Sequence, residues 1–219
     1  MATETEIANL ALSHLGIGKE IANLETEKSQ EATACRRFYP TTRDAVLRDF
    51  PWPFATKFAV LALVADPPTE TTEWAFSYRY PIDCLTIRRI QTGIRQDNQD
   101  SRIRFKLGRD DQGQLVYCDE ALAKVEYTFR EEDPQRYPAD FQLAMSFRLA
   151  AYVAPRLTGG DPFKLGDRAA RFYQYEISGA QASAGNELVP DAAPDAEVIR
   201  AREGDFLPPG QGNGRPFIP

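Results

Sequence analysis

Two places in this 219-residue chain invite a search for chemistry: the single histidine, His14, and the acidic run Glu131-Glu132-Asp133. A histidine becomes catalytic beside a nucleophile and a positioned acid, and a metal site needs several nitrogen or sulfur ligands. The sequence assembles neither around His14. It stands four residues after Leu10, at helical spacing, and reads as a partly buried or interfacial structural histidine. The acidic run sits just before Pro134, where carboxylates favour the start of a helix, so a structural role is preferred over acid–base work. Cys35, Cys84 and Cys118 are odd in number and widely spaced, without a CxxC pair. They read as reduced thiols, and Cys84 in "PIDCL" as a buried one with only Arg79 nearby as a base. Gly16-Ile17-Gly18 lacks the remaining spacing of a dinucleotide or phosphate loop. No catalytic, cofactor-binding or metal-ligating residue is therefore predicted.

The strongest local charge lies between Arg88 and Arg109. Arg88, Arg89, Arg95, Arg102, Arg104, Lys106 and Arg109 face only Asp97 and Asp100, in a chain whose net charge is −6. Three readings are open: the solvated face of a strand, a contact with an acidic partner, and, least favoured, DNA. Arg88, Arg89, Arg102, Arg104 and Lys106 are the interface candidates. A pI near 5.0 argues against a general nucleic-acid-binding surface, which would be basic, and leaves room for a protein that lets DNA pass without sticking. The first residues, MATETEIANL, carry neither the basic nor the apolar region of a secretory leader. No stretch approaches the roughly 20 apolar residues of a membrane span, so a soluble protein made inside the cell is expected.

The elements that must carry these residues are legible from periodicity. Thr3-Glu4-Thr5-Glu6 fits a capping box, and Ile7, Leu10, Ala11 and Leu15 continue as a helix closed by Gly16. A second helix opens near Glu27 or Lys28, with Cys35, Tyr39, Thr42, Val46 and Phe50 on one side and Arg36, Arg43 and Asp44 elsewhere. Pro40 inside it predicts a kink or a break into two pieces. Pro51-Trp52-Pro53 ends the helix, and the period then changes from 3.6 to 2. Trp74, Phe76, Tyr78 and Tyr80 alternate with other residues, as do Ile103, Phe105 and Leu107, and Val125, Tyr127 and Phe129. "RDDQGQ", 109–114, is a hairpin turn. Helices return after Asp133-Pro134. "LAMSFRLAAYVA", 143–154, is apolar nearly all round and predicts a central helix that Pro155 and Gly159-Gly160 stop. Asp161-Pro162 caps a last helix running to about Ala184.

The expected fold is α+β. A four-helix bundle-like body, 1–55 and 134–184, carries an inserted antiparallel β module, 56–133, between its second and third helices. The extended tail, 185–219, is rich in Pro, Gly and Asp and holds scattered Phe206, Leu207, Phe217 and Ile218. Trp52 and Phe54 are expected to plug the seam between body and module. A tail of this composition orders on contact by spreading weak apolar anchors along a partner, and those four residues are its candidate anchors.

Three stretches together resemble the tail tubular protein A family, the head-to-tail adaptors of short-tailed phages: "NLALSHLG" near the start, "CRRFYPTTRDAVLRDFPWPFA" and "YRYPIDCLTI". A late "DAEVIRAR" fits the family's C-terminal style. The resemblance implies a structural, non-enzymatic virion protein of the phage neck, made in the host cytoplasm. It implies a ring, usually of twelve copies, docked on the portal protein above and offering a platform to the tail nozzle, and often to fibres, below. DNA passes through it during ejection without specific binding; no cofactor and no membrane are implied. The C-terminal extension is expected to reach along or into the portal. Two readings of other classes stand beside it, a virion-associated enzyme such as a cell-wall hydrolase and an assembly scaffold or chaperone-like module.

Overall fold

The computed structural model describes residues 3–66, 68, 71, 73–93, 102–159 and 162–187, with the backbone alone at 162 and 163. Arg95, Gly160, the Asp161 cap and the anchors Phe206, Leu207, Phe217 and Ile218 lie outside these residues. The described chain is α+β, with four helices and two antiparallel sheets.

Helix α1 spans Glu4–His14 and α2 spans Gln30–Asp49. The capping box forms as the residues dictate: Glu6 N–H donates to Thr3 Oγ1 at 3.1 Å, and Thr3 N–H donates to Glu6 Oε2 at 2.8 Å. Gly16, at φ +74°, takes the left-handed turn after α1 that a side chain would resist. Helix α2 starts a turn later than expected, because Ser29 accepts from Ala32 N–H and sets the cap there. It runs through Pro40 as one helix. Arg43, expected off the inner side, is buried, held by Asp44 at 3.0 Å and Glu132 at 3.4 Å.

Seven strands follow: β1 (Thr56–Val60), β2 (Leu63–Ala65), β3 (Phe76–Arg79), β4 (Cys84–Ile90), β5 (Lys106–Asp110), β6 (Gly113–Cys118) and β7 (Lys124–Phe129). They form a three-stranded sheet in the order β1-β7-β4 and a four-stranded sheet in the order β2-β3-β6-β5. The chain passes from one sheet to the other at corners. Leu61 N–H donates to Ala123 O on the first sheet, and Ala62 O accepts from Arg79 N–H on the second. The hairpin predicted at 109–114 is β5–β6, turning on Asp111-Gln112. Ile103 and Phe105, read as part of a strand, precede β5 instead. They pack partly buried against the core without ladder bonds.

Helix α3 (Ala139–Leu157) is central, contacting α1, α2 and α4 (Pro162–Glu187). The expected four-helix bundle body is not supported, because α4 packs chiefly on α3 while α1 and α2 each pack on α3 and only slightly on each other. Helix α4 lies along α3 through one stripe, Ala169, Tyr173, Ile177, Ala180 and Ala184, and its opposite face is exposed. Pro155 does not stop α3, which runs two residues further. The lost donor there would have served Ala151 O, and α4 comes close at this carbonyl through Gly166, where an added Cβ would sit 3.5 Å from the oxygen. One continuous core joins the helices to both sheets.

Candidate functional site

The junction Pro51-Trp52-Pro53 is built from the inside. Trp52 is 1% exposed and donates its indole N–H to Val46 O at 3.0 Å, satisfying a carbonyl in the last turn of α2. Its ring meets Phe141 of α3 edge-on at 5.0 Å, flanked by Phe50 at 5.2 Å and Phe54 at 6.0 Å. Phe54 continues the cluster onto Phe141 at 5.0 Å and Tyr137 at 5.8 Å. These edge-to-face contacts fix α2, the first residues of β1 and α3 relative to one another. The prolines free the chain from helical geometry, and the aromatic rings lock the direction it takes next.

The basic stretch divides. The β4–β7 register shifts between Ile87 and Arg89, so Arg88 has no partner across the ladder and is re-aimed. Its Nε donates to Thr128 Oγ1 at 2.8 Å. Its Nη2 donates to Phe50 O at 2.7 Å and Arg48 O at 3.0 Å, with Leu47 O at 3.4 Å. A guanidinium on the free carbonyls at a helix C-terminus satisfies acceptors and meets the negative end of the dipole. Arg88 is thus a staple between sheet and helix. Arg89 pairs across the strand with Glu126 at 2.6 Å. Arg102, Arg104, Lys106 and Arg109 are exposed on and before β5, the edge of the four-stranded sheet. Lys106 meets Glu73 at 3.5 Å, with both side chains well exposed. Arg79 on β3 grips Asp110 with two bonds, 2.8 and 2.9 Å, and this pair holds the Asp110 carboxyl down at about 2.

The structure brings His14 to a serine that sequence distance hid. Its Nε2 lies 2.9 Å from Ser146 Oγ on α3, and its ring stacks on Phe147 at 3.7 Å. Ser146 is wholly buried and donates its one proton to Leu143 O at 2.7 Å, so it receives the imidazole N–H. That polarity is the reverse of a base activating a hydroxyl. Burial lowers the His14 pKa and keeps the ring neutral. The acidic run is likewise structural. Glu131 pairs with Arg136 at 3.1 Å, its backbone carbonyl accepts from the Tyr137 hydroxyl, and Asp133 caps a short 3-10 turn. Burial pushes the Cys84 thiol up to about 11 and the Cys35 thiol to about 12, which leaves both poor nucleophiles.

An open polar cleft of about 1090 Å³ lies between the start of α1, the 21–25 loop, Arg43 and Glu132. Glu4 in it is raised by burial, opposed by the Arg43 charge. The Tyr39 hydroxyl is buried nearby without a partner among the described residues. No group of three potential metal ligands occurs among the described residues.

The most unusual surface is one that charge-centred reading missed. Strands β1 and β2 form one side of both sheets, since each is an edge in its sheet order. Along them Phe58 is 62% exposed, Val60 57% and Leu63 55%, with Val64 also exposed. Leu122, on the turn leading into β7, is 79% exposed at φ +57°. Lys57, the basic residue of β1, is spent on Asp83 at 2.8 Å and the Phe129 ring at 3.8 Å. An edge rich in exposed apolar side chains offers unpaired backbone groups to another strand. The signal was present in "TKFAVLALV", an apolar run too long for a strand with one wet face. No helix among the described residues is long and apolar enough to cross a membrane. Neither a protein-family model nor a curated protein matches the chain.

Proposed function

We propose that this chain is a structural subunit of a head-to-tail adaptor ring, placed in a phage neck between a portal and a tail nozzle. The observation that carries the reading is the exposed apolar edge of β1–β2, 56–65, among the described residues, where the opposite edge strand β5 carries the exposed charges Lys106 and Arg109. Such an edge suits a subunit that sits among copies of itself, where a neighbour completes the surface. The resemblance of "CRRFYPTTRDAVLRDFPWPFA" and "YRYPIDCLTI" to tail tubular protein A supplies the partners: portal, nozzle and, in some assemblies, fibres. The acidic balance fits a bore that repels the phosphate backbone, so that DNA slides.

The test is assembly. Electron microscopy of the protein with and without its portal is expected to give rings of about a dozen copies with the portal present. Val60→Lys together with Leu63→Lys, each at an exposed position, is expected to leave the fold intact and abolish the rings. Rings from the lysine variant would remove the edge from the reading. Absence of the protein from mature particles would remove the adaptor itself.

A further inference from the structure

The polar cleft beside α1 and the charged edge at β5 are opposite in sign and belong to different parts of the molecule. The cleft, about 1090 Å³, is walled by the start of α1, the 21–25 loop, α2 and the residues after β7. Glu4, Glu6, Glu25, Glu132 and Asp133 line it, against Arg43 as the single cation on that wall. Arg43 already pairs with Asp44 at 3.0 Å and Glu132 at 3.4 Å. Burial raises Glu4, the Arg43 charge opposes the rise, and Glu25 and Glu132 add to it. A further cation entering the cleft would relieve that crowding.

A second observation at the same wall is not one of charge. Tyr39 stands one turn before Arg43 on α2 and is 2% exposed. Its hydroxyl feels the charges of Glu4 and Arg43, both on the cleft wall, yet has no hydrogen-bond partner among the described residues. A buried hydroxyl in that state can be satisfied by a polar group that enters from the cleft.

The β5 edge is the counterpart. Arg104, Lys106 and Arg109 are exposed, and Lys106 reaches only as far as the exposed Glu73 at 3.5 Å. Among the described residues neither Arg104 nor Arg109 has an ion-pair or hydrogen-bond partner. Leu107, 52% exposed, adds an apolar contact between them. Strand β5 pairs with β6 on one side and leaves its other side open. It shares no residue with the cleft wall, so within one chain the basic edge and the acidic cleft do not meet.

We propose that the β5 edge of one copy enters the α1–α2 cleft of the next, with Arg104, Lys106 and Arg109 set against Glu4, Glu25 and Glu132. This contact rests on the ring reading and names surfaces by which the copies meet. An edge and a cleft are different patches, so the contact is head-to-tail. Every copy gives one edge and receives another, as a closed ring of like subunits requires. Opposite charge steers the two together and fixes their register, most strongly at low salt.

The experiment counts rings on the portal by electron microscopy at low salt. One variant turns the edge acidic: Arg104→Glu with Lys106→Glu and Arg109→Glu. A second turns the rim of the cleft basic: Ala22→Lys with Glu25→Lys and Glu132→Lys. All six positions are exposed, and the Glu132 side chain, 69% exposed, leaves a lysine room to turn away from Arg43. Both variants are expected to keep the wild-type urea midpoint. Alone, each sets like charge against like and should lose ring yield about tenfold or more. Mixed in equal amounts, the edge of each fits the cleft of the other, and rings should return with the two chains in equal number. Wild-type yield from either variant alone would overturn the contact and leave the ring reading standing. A mixture that stays without rings would overturn it too, and would make the occupant of the cleft a different protein. No rings from wild type on the portal would instead remove the ring reading, and this contact with it.

Discussion

Arg88 and Arg104 lie on the same basic stretch, 16 positions apart, and do opposite things. Arg88 is turned inward by the irregular register of β4 and holds three carbonyls at the end of α2. Arg104 stands exposed before an edge strand and is available to solvent or a partner. Both belong to one run of positive charge; what differs is that Arg88 reaches the carbonyls at the end of α2. A cluster of arginines is therefore two structures in one, a seam and a fringe, and the seam extends through Trp52 to Phe141.

That contrast is sharpest in energy. Trp52→Ala empties the centre of the seam and is expected to cost about 3–5 kcal/mol, read as a lowered urea midpoint, with self-association lost only because the fold is lost. Arg88→Ala strands the α2 carbonyls and the Thr128 hydroxyl, for a loss of about 2–3 kcal/mol by the same measurement. Arg88→Lys should recover less than half of it, because an ammonium cannot span sheet and helix at once. Should Arg88→Ala cost no more than Arg104→Ala, the division between seam and fringe collapses.

A smaller effect belongs to pH. Burial holds the His14 pKa below its ordinary value of 6.5, so the unfolded chain takes up a proton first as the pH falls. The stability carried by the neutral ring is complete above pH 6.5 and is lost as the pH drops towards the folded value. In urea titrations at successive pH values, wild type should lose more stability between neutrality and pH 5 than His14→Gln, which keeps a donor for Ser146. The smallest effect is at the fringe. Arg102, Arg104 and Lys106 changed together to Gln should move stability by no more than about 0.5 kcal/mol each. Any weakening should show in assembly with an acidic partner, and most at low salt.

Elements governed by neighbours in sequence were readable in advance. The capping box at Thr3, the hairpin at Asp111-Gln112, the central α3 and the aromatic plug at Trp52 each depend on local chemistry or on a long one-sided period. The departures share a different origin. Pro155 was read as a stop, yet so near a helix end it costs little, and α4 closes over the carbonyl it frees. Arg88 and Arg89 were counted as one patch because alternation gives no sign of a bulge. The His14–Ser146 contact spans 132 positions, beyond any local pattern. The bundle failed as an expectation because apolar stripes tell which face is buried and not how many partners cover it. Charge drew attention to β5, while the less guarded edge was the uncharged one.

The separation between His14 and Ser146 also has a bearing on how the molecule comes into being. During synthesis α1 and α2 emerge without α3, the helix that covers their inner sides, and they wait while all seven strands are made. Closing so long an excursion carries an entropic cost that grows only slowly with length, so the delay, more than the free energy, is the hazard. Throughout it α1 and α2 lack the helix on which each packs most. A nascent chain stalled before Ala139 would be the form most prone to capture by chaperones or to clumping, and the arrival of α3 is the event that ends that exposure.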